Sequence, residues 1–210
     1  MQQQILIFAA DKLGKTLMEY YESGEYVKPF SSQELADCVL HHAAAAGIAA
    51  MAPGVIPGVG FGIAAAITTG AVWSMYIKMS KMIGTSITKN TLKVIASAAI
   101  SNIAMNTAVF FALTLIPGVG AIATGVINFA AVYSAGLIFL TAITRLFKVR
   151  RTDIENISDE EWKASVKAAV ASINMKSIIK EAKDLFMEMR KNGSLDQMGK
   201  DVDISMKEDF

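Results

Sequence analysis

One cysteine, Cys38, stands among 210 residues, so no disulfide can form within the chain and nothing points to an oxidising compartment. Proline is nearly as scarce, and three of the four, Pro53, Pro57 and Pro117, lie inside uncharged stretches. Neither sign of charge dominates. The net charge of +1 argues against a nucleic-acid binder, which would carry a basic stripe or a much higher pI. Aromatics make up 8% of the chain and are not interleaved with bases, so no stacking platform for single strands is expected. No segment alternates apolar and polar residues as a half-buried strand does, which leaves an all-α chain. The start, "MQQQILIFAADK", has no basic n-region, and its apolar run from Ile5 to Ala10 is too short for a signal peptide. A membrane would therefore be met from the cytosolic side or by internal segments.

What the chain has in place of charge is apolar length. Apolar residues reach 53% and charged ones only 19%, with a mean hydropathy of +0.40, which implies lipid contact or a dry interior. From Ala43 to Ile77 there is no charge, and from Val94 to Thr144 there are 51 further residues without one. Each stretch holds the pentapeptide "IPGVG", at Ile56–Gly60 and Ile116–Gly120, sixty positions apart. The match extends past the pentapeptide: nine of 22 positions agree between Ile56–Ile77 and Ile116–Leu137. Proline biases the residue before it away from helix and glycine permits left-handed geometry, so each copy reads as an apolar helix–turn–helix corner. Pro57, Gly58, Gly60, Pro117, Gly118 and Gly120 are the corner residues. The expected fold is all-α: a duplicated helical hairpin of two helix–IPGVG–helix units with flanking amphipathic helices.

Each hairpin returns to its starting side, so both corners should lie at one end of a bundle. The bases Lys78, Lys81, Lys89 and Lys93, together with Arg145, Lys148, Arg150 and Arg151, should gather at the other, facing lipid headgroups. Val94–Ile116 and Ala121–Thr144 are each long enough to cross a bilayer. The leading arm of the first hairpin, with Glu34, Asp37, His41 and His42, is not.

Four regions result. Residues 1–30 form an N-terminal amphipathic helix and linker, with Ile5 to Tyr21 at helical spacing. Residues 31–150 are the apolar hairpin domain, opened by the capping-box spacing "SSQE" at Ser31–Glu34. Residues 151–193 are a C-terminal helical pair. "SDEE" at Ser158–Glu161 caps its first helix, Asn192-Gly193 ends its second, and Ile178, Ala182, Leu185, Phe186 and Met189 line one face of that second helix. Residues 194–210 are expected to be a disordered tail.

Two patterns could carry chemistry. "AADKLGKT" at Ala9–Thr16 meets the permissive phosphate-loop pattern, but no parallel sheet or acidic strand end accompanies it, and helical spacing accounts for the same residues. Glu34, Cys38, His41 and His42 share one helix face and are all zinc-binding types, yet no second segment supplies Cys or His. Cys38 is read instead as a buried residue, with the histidines edging the helix end. No catalytic, cofactor or metal residue is expected, and the protein is read as a non-enzyme. Met75, Met79 and Met82 are read as packing residues, and Trp73 and Tyr133 as core fillers or interfacial anchors.

The order "AAAAGIAAMAPGVIPGVG", "MYIKMSKMIGTSITKN", "ALTLIPGVGAIATGVINFAAVYSAG" resembles the bacterial helical domains of unknown function in YcjF-type inner-membrane proteins, found fused to or beside Era-like GTPases. The resemblance spans residues 43–148. Pro53–Gly60 stands where members often carry a polar corner, and no GTPase domain is attached. It implies a setting at the bacterial inner membrane and a GTPase partner, and no catalytic residues. The expected function is a non-enzymatic, membrane-associated module at the cytoplasmic face of, or integral to, that membrane. It docks or inserts apolar hairpins and presents its flanking helices to a partner. Membrane lipid, a GTPase or other protein, and a second copy of the chain are the partners considered. The alternatives are a soluble helical-bundle interaction or regulatory subunit and a colicin-like pore former.

Overall fold

The computed structural model describes residue 15 and residues 32–51, 61–85, 87–111, 120–150, 157–200 and 202. The expected N-terminal helix and phosphate-loop pattern lie outside the described residues except for Lys15, which is exposed. The described chain is all-α, with no strand. Its helices are α1 (Ser32–Met51), α2 (Phe61–Ile83), α3 (Lys89–Phe111), α4 (Gly120–Arg150), α5 (Asp159–Ser172), α6 (Met175–Asn192) and α7 (Ser194–Gly199).

Helix α4 is the axis of the molecule. Its 31 residues span about 46 Å, and α1, α2, α3, α5 and α6 all pack against it. Phe129, Val132, Tyr133, Ala135, Ile138, Phe139 and Leu140 point in different directions around it, and all are fully buried. A helix apolar on every side needs neighbours on every side, and here protein helices supply them. Helix α1 is nearly as enclosed: Leu35, Ala36, Val39, Leu40, Ala43, Ala44 and Ala46 are at most 2% exposed between α2, α4 and α7. Small side chains make that possible. An added Cβ at Gly136 would stand 2.7 Å from Val39, and one at Gly47 would stand 3.2 Å from the Gly125 carbonyl oxygen. These pairs show α1 antiparallel to α4.

Helices α2 and α4 touch directly. Thr68 Oγ1 on α2 donates to Asn128 Oδ1 on α4 at 2.5 Å, and the two residues are sixty apart. Tyr76 donates its hydroxyl to the Ala135 carbonyl at 2.9 Å and stacks on Phe139, so α2 and α4 run side by side in the same direction. The Thr68–Asn128 bond is buried, and Asn128 Nδ2 also donates to the Thr124 carbonyl. Removing one partner strands a buried polar group. Asn128→Leu should cost about 2 kcal/mol in urea unfolding. The double variant with Thr68→Val should cost less than the sum of the two singles, and strict additivity would show that the pair is not coupled.

The C-terminal part follows local signals closely. Ser158 and Glu161 form the complete reciprocal capping box, and Gly193 ends α6 with a left-handed φ of 78°. On α6, Ile179 is buried at the apolar face, while Ile178, expected there, is half-buried. Residues 194–199, expected in a disordered tail, instead form α7. The left-handed turn at Gly193 carries the chain onto α1, where Leu195 is buried to 2% and Gly199 sits against Ala44 and Ala45. One apolar anchor and close backbone approach suffice to order a short polar segment.

Candidate functional site

Of the eight bases named above, five have described side chains. Lys78 and Lys81 lie in the last two turns of α2, and Lys89 and Lys93 in the first two turns of α3; all four are exposed. Between them the chain turns at Gly84, whose φ of 77° no side-chain-bearing residue adopts readily, with the Gly84 and Thr85 amides both donating to the Ser80 carbonyl. Because α4 runs parallel to α2 in the register just described, exposed Arg145 lies at this same end. The side chains of Lys148 and Arg150, and all of Arg151, lie outside the described residues. Carboxylates are present here too. Asp159 accepts from Thr91 Oγ1, Glu160 pairs with Lys163 at 3.9 Å, and Glu161 is occupied by its cap. Five cations thus stand beside three carboxylates that are each engaged locally.

Of the corner residues, Pro57, Gly58, Gly60, Pro117 and Gly118 lie outside the described residues, and Gly120 is the buried first residue of α4. Among the described residues α4 alone is long and apolar enough to cross a membrane, over Gly120–Phe147, and 94% of its most apolar window is buried by protein. A core helix meets the same criterion. The other expected span, Val94–Ile116, runs past the last residue of α3, Phe111, and its end lies outside the described residues.

The histidines do not edge a helix end. Helix α1 continues nine residues beyond His42, and His42 is only 2% exposed. Its Nδ1 lies 2.7 Å from the Cys38 carbonyl and 3.8 Å from Cys38 Sγ, while Nε2 reaches Ser74 Oγ on α2 at 3.3 Å. Burial lowers its pKa from 6.5 to about 4: its bond to the Cys38 carbonyl works against the shift, and the charges of Lys78 and His41 add to it. Burial also pushes the Cys38 thiol up to about 12, against the pull of Lys78. Both groups are therefore neutral near pH 7, and a thiol with so little thiolate is a poor nucleophile and a poor metal ligand. Glu34 is exposed and His41 half-buried, so the four candidate ligands split between core and surface. Among the described residues no three Cys, His, Asp or Glu side chains converge on a metal position.

Ser74 carried no sequence signal for this role, because its partner lies 32 residues away on another helix. Its counterpart sixty positions on, Ser134, buries its hydroxyl with no partner among the described residues. Met75 and Met79 are fully buried packing residues, Tyr133 is core, and Trp73 is half-buried.

Fold and surface together define an all-α bundle built around a sheathed apolar helix, with a basic end. No family model, curated protein or solved structure matches the chain.

Proposed function

We propose that the chain is a non-enzymatic helical module that docks on an anionic membrane from its cytoplasmic side. It does so through its basic end, with α4 kept inside the bundle and the flanking helices presented to a protein partner. The resemblance to YcjF-type domains suggests a GTPase as that partner. The observation that carries the reading is the collection of Lys78, Lys81, Lys89, Lys93 and Arg145 at one exposed end. Each base near an anionic leaflet contributes about 1 kcal/mol, within a Debye length of ~10 Å at 0.1 M salt. Docking is favoured over insertion because α4 has helices on all sides, so it offers lipid no face.

The same burial of α4 also suits a second reading, a soluble interaction subunit that meets no lipid. Fractionation of the untagged protein separates the two. Docking predicts recovery with membranes and release by high salt, and Lys78→Gln, Lys81→Gln, Lys89→Gln and Lys93→Gln combined should weaken binding to anionic vesicles at least ~10-fold. Retention through alkaline carbonate would establish insertion. Recovery in the soluble fraction from the start would leave the soluble subunit. Leakage of vesicle contents would favour the pore former.

A further inference from the structure

Helix α6 sorts its residues by angle more sharply than a solvated helix needs to. Met175, Ile179, Ala182, Leu185, Phe186 and Met189 face inward and are buried. Along one half of the solvent side, starting next to Ile179, Lys176, Lys180, Lys183, Met187, Arg190 and Lys191 are all exposed, spaced four, three, four, three and one residues apart. At 3.6 residues per turn they fall within about 100° of arc and form a row about 22 Å long. No carboxylate interrupts it. Glu181, Asp184 and Glu188 lie along one edge, each half-buried. None of the five cations is held in an ion pair among the described residues.

We propose that this outer face of α6 is the docking surface for a protein partner whose contact element is a helix carrying a row of carboxylates. This deepens the partner-presenting half of the function proposed above and rests on it. Three observations favour such a partner over a bilayer. The edge carboxylates would repel an anionic leaflet, whereas a protein can set bases opposite them and so fix its register. Met187, 42% exposed at the centre of the row, supplies the apolar contact that interface centres use. Helix α6 also runs antiparallel along α4: Phe186 lies edge-on to Phe129, and Glu181 acts on Tyr133. Its row therefore faces sideways from the basic end, and end-on docking leaves it in the cytosol.

The test uses the full chain and two synthetic alanine-based helical peptides of identical composition. One places glutamates at four-three-four-three spacing, and the other scrambles them. Fluorescence anisotropy at about 0.1 M salt should show the patterned peptide binding at least ~10-fold tighter than the scrambled one. The combined variant Lys176→Gln, Lys180→Gln, Lys183→Gln, Arg190→Gln and Lys191→Gln should lose that preference while keeping wild-type helicity. It should also keep wild-type binding to vesicles containing roughly one-third phosphatidylserine. Equal binding of both peptides, or a preference that survives in the variant, overturns the proposal. Loss of vesicle binding in the variant makes α6 a lipid face and overturns it too. A wild-type protein that selects the patterned peptide but ignores vesicles supports the α6 surface while removing the membrane half of the functional reading.

Discussion

Leucine at Gly47 or at Gly125 should each destabilise the protein by about 3 kcal/mol or more, lowering Tm by roughly 6–12 °C. The two glycines face one another where α1 crosses α4. A Cβ at Gly47 would lie 2.8 Å from the Phe186 ring, 3.2 Å from the Gly125 carbonyl oxygen and 3.3 Å from Phe129 Cβ. One at Gly125 would meet Met51 at 2.6 Å and the Gly47 carbonyl oxygen at 3.0 Å. Met51 ends in a flexible thioether and can swing aside. The carbonyls belong to helical backbone and cannot, and Phe186 is fully buried. Leucine therefore has to push α1 off α4 and, with it, off the ring of Phe186. Replacing a helical glycine regains about 1 kcal/mol of propensity, which does not offset this separation. Alanine should be milder than leucine at Gly125, because its single carbon clashes mainly with the flexible Met51 and sits 3.0 Å from the Gly47 carbonyl oxygen. The double leucine variant should cost clearly less than the sum, since helices already forced apart accept the second side chain more easily. Thermal unfolding measures all four variants, and a Tm unchanged by Gly47→Leu would rule out this close crossing.

Acid should weaken the fold through His42. In the unfolded chain its imidazole titrates near 6.5, and in the fold near 4. Between those values the unfolded state binds more protons, so its protonation draws the equilibrium toward unfolding. The stability linked to His42 is complete above about pH 6.5, declines as pH falls toward 4, and changes no further below that. The loss is on the order of 3 kcal/mol. The physical cause is burial: the imidazolium would lose its hydration between α1 and α2, and the charges of Lys78 and His41 add to the cost. Urea unfolding across this range separates His42 from the carboxylates, because only its part disappears in His42→Gln. A wild type and variant with parallel pH profiles would mean that His42 is solvated.

Both predictions turn on facts of different legibility. The helices α1 to α6 were readable, and α7 was not. Ser158–Glu161 closes a capping box and Gly193 stops α6, because these are bonds between near neighbours and depend on little else. The sixty-residue repeat was readable too, as was the gathering of Lys78 to Lys93 around one turn. The roles of His42, Ser74 and the facing glycines were not. The run from His41 to Met51 reads as helix up to Pro53, yet nothing in it shows that His42 faces the core. Helices α2, α4 and α7 decide that by enclosing α1.

Sequence alone determined the long helical segments, which of them are apolar, and where the charges fall, since propensity, capping and periodicity act over a few residues; α7 was ordered only by its contact with α1. Tertiary structure decided what the apolar surface meets. A helix such as α4 satisfies its own backbone hydrogen bonds and buries the same side chains equally well in lipid or in protein. Its sequence is therefore silent between the two. Five neighbouring helices, brought in by Gly47, Gly125 and Gly136 on one side and by α5 and α6 on another, settle that α4 in this fold meets protein.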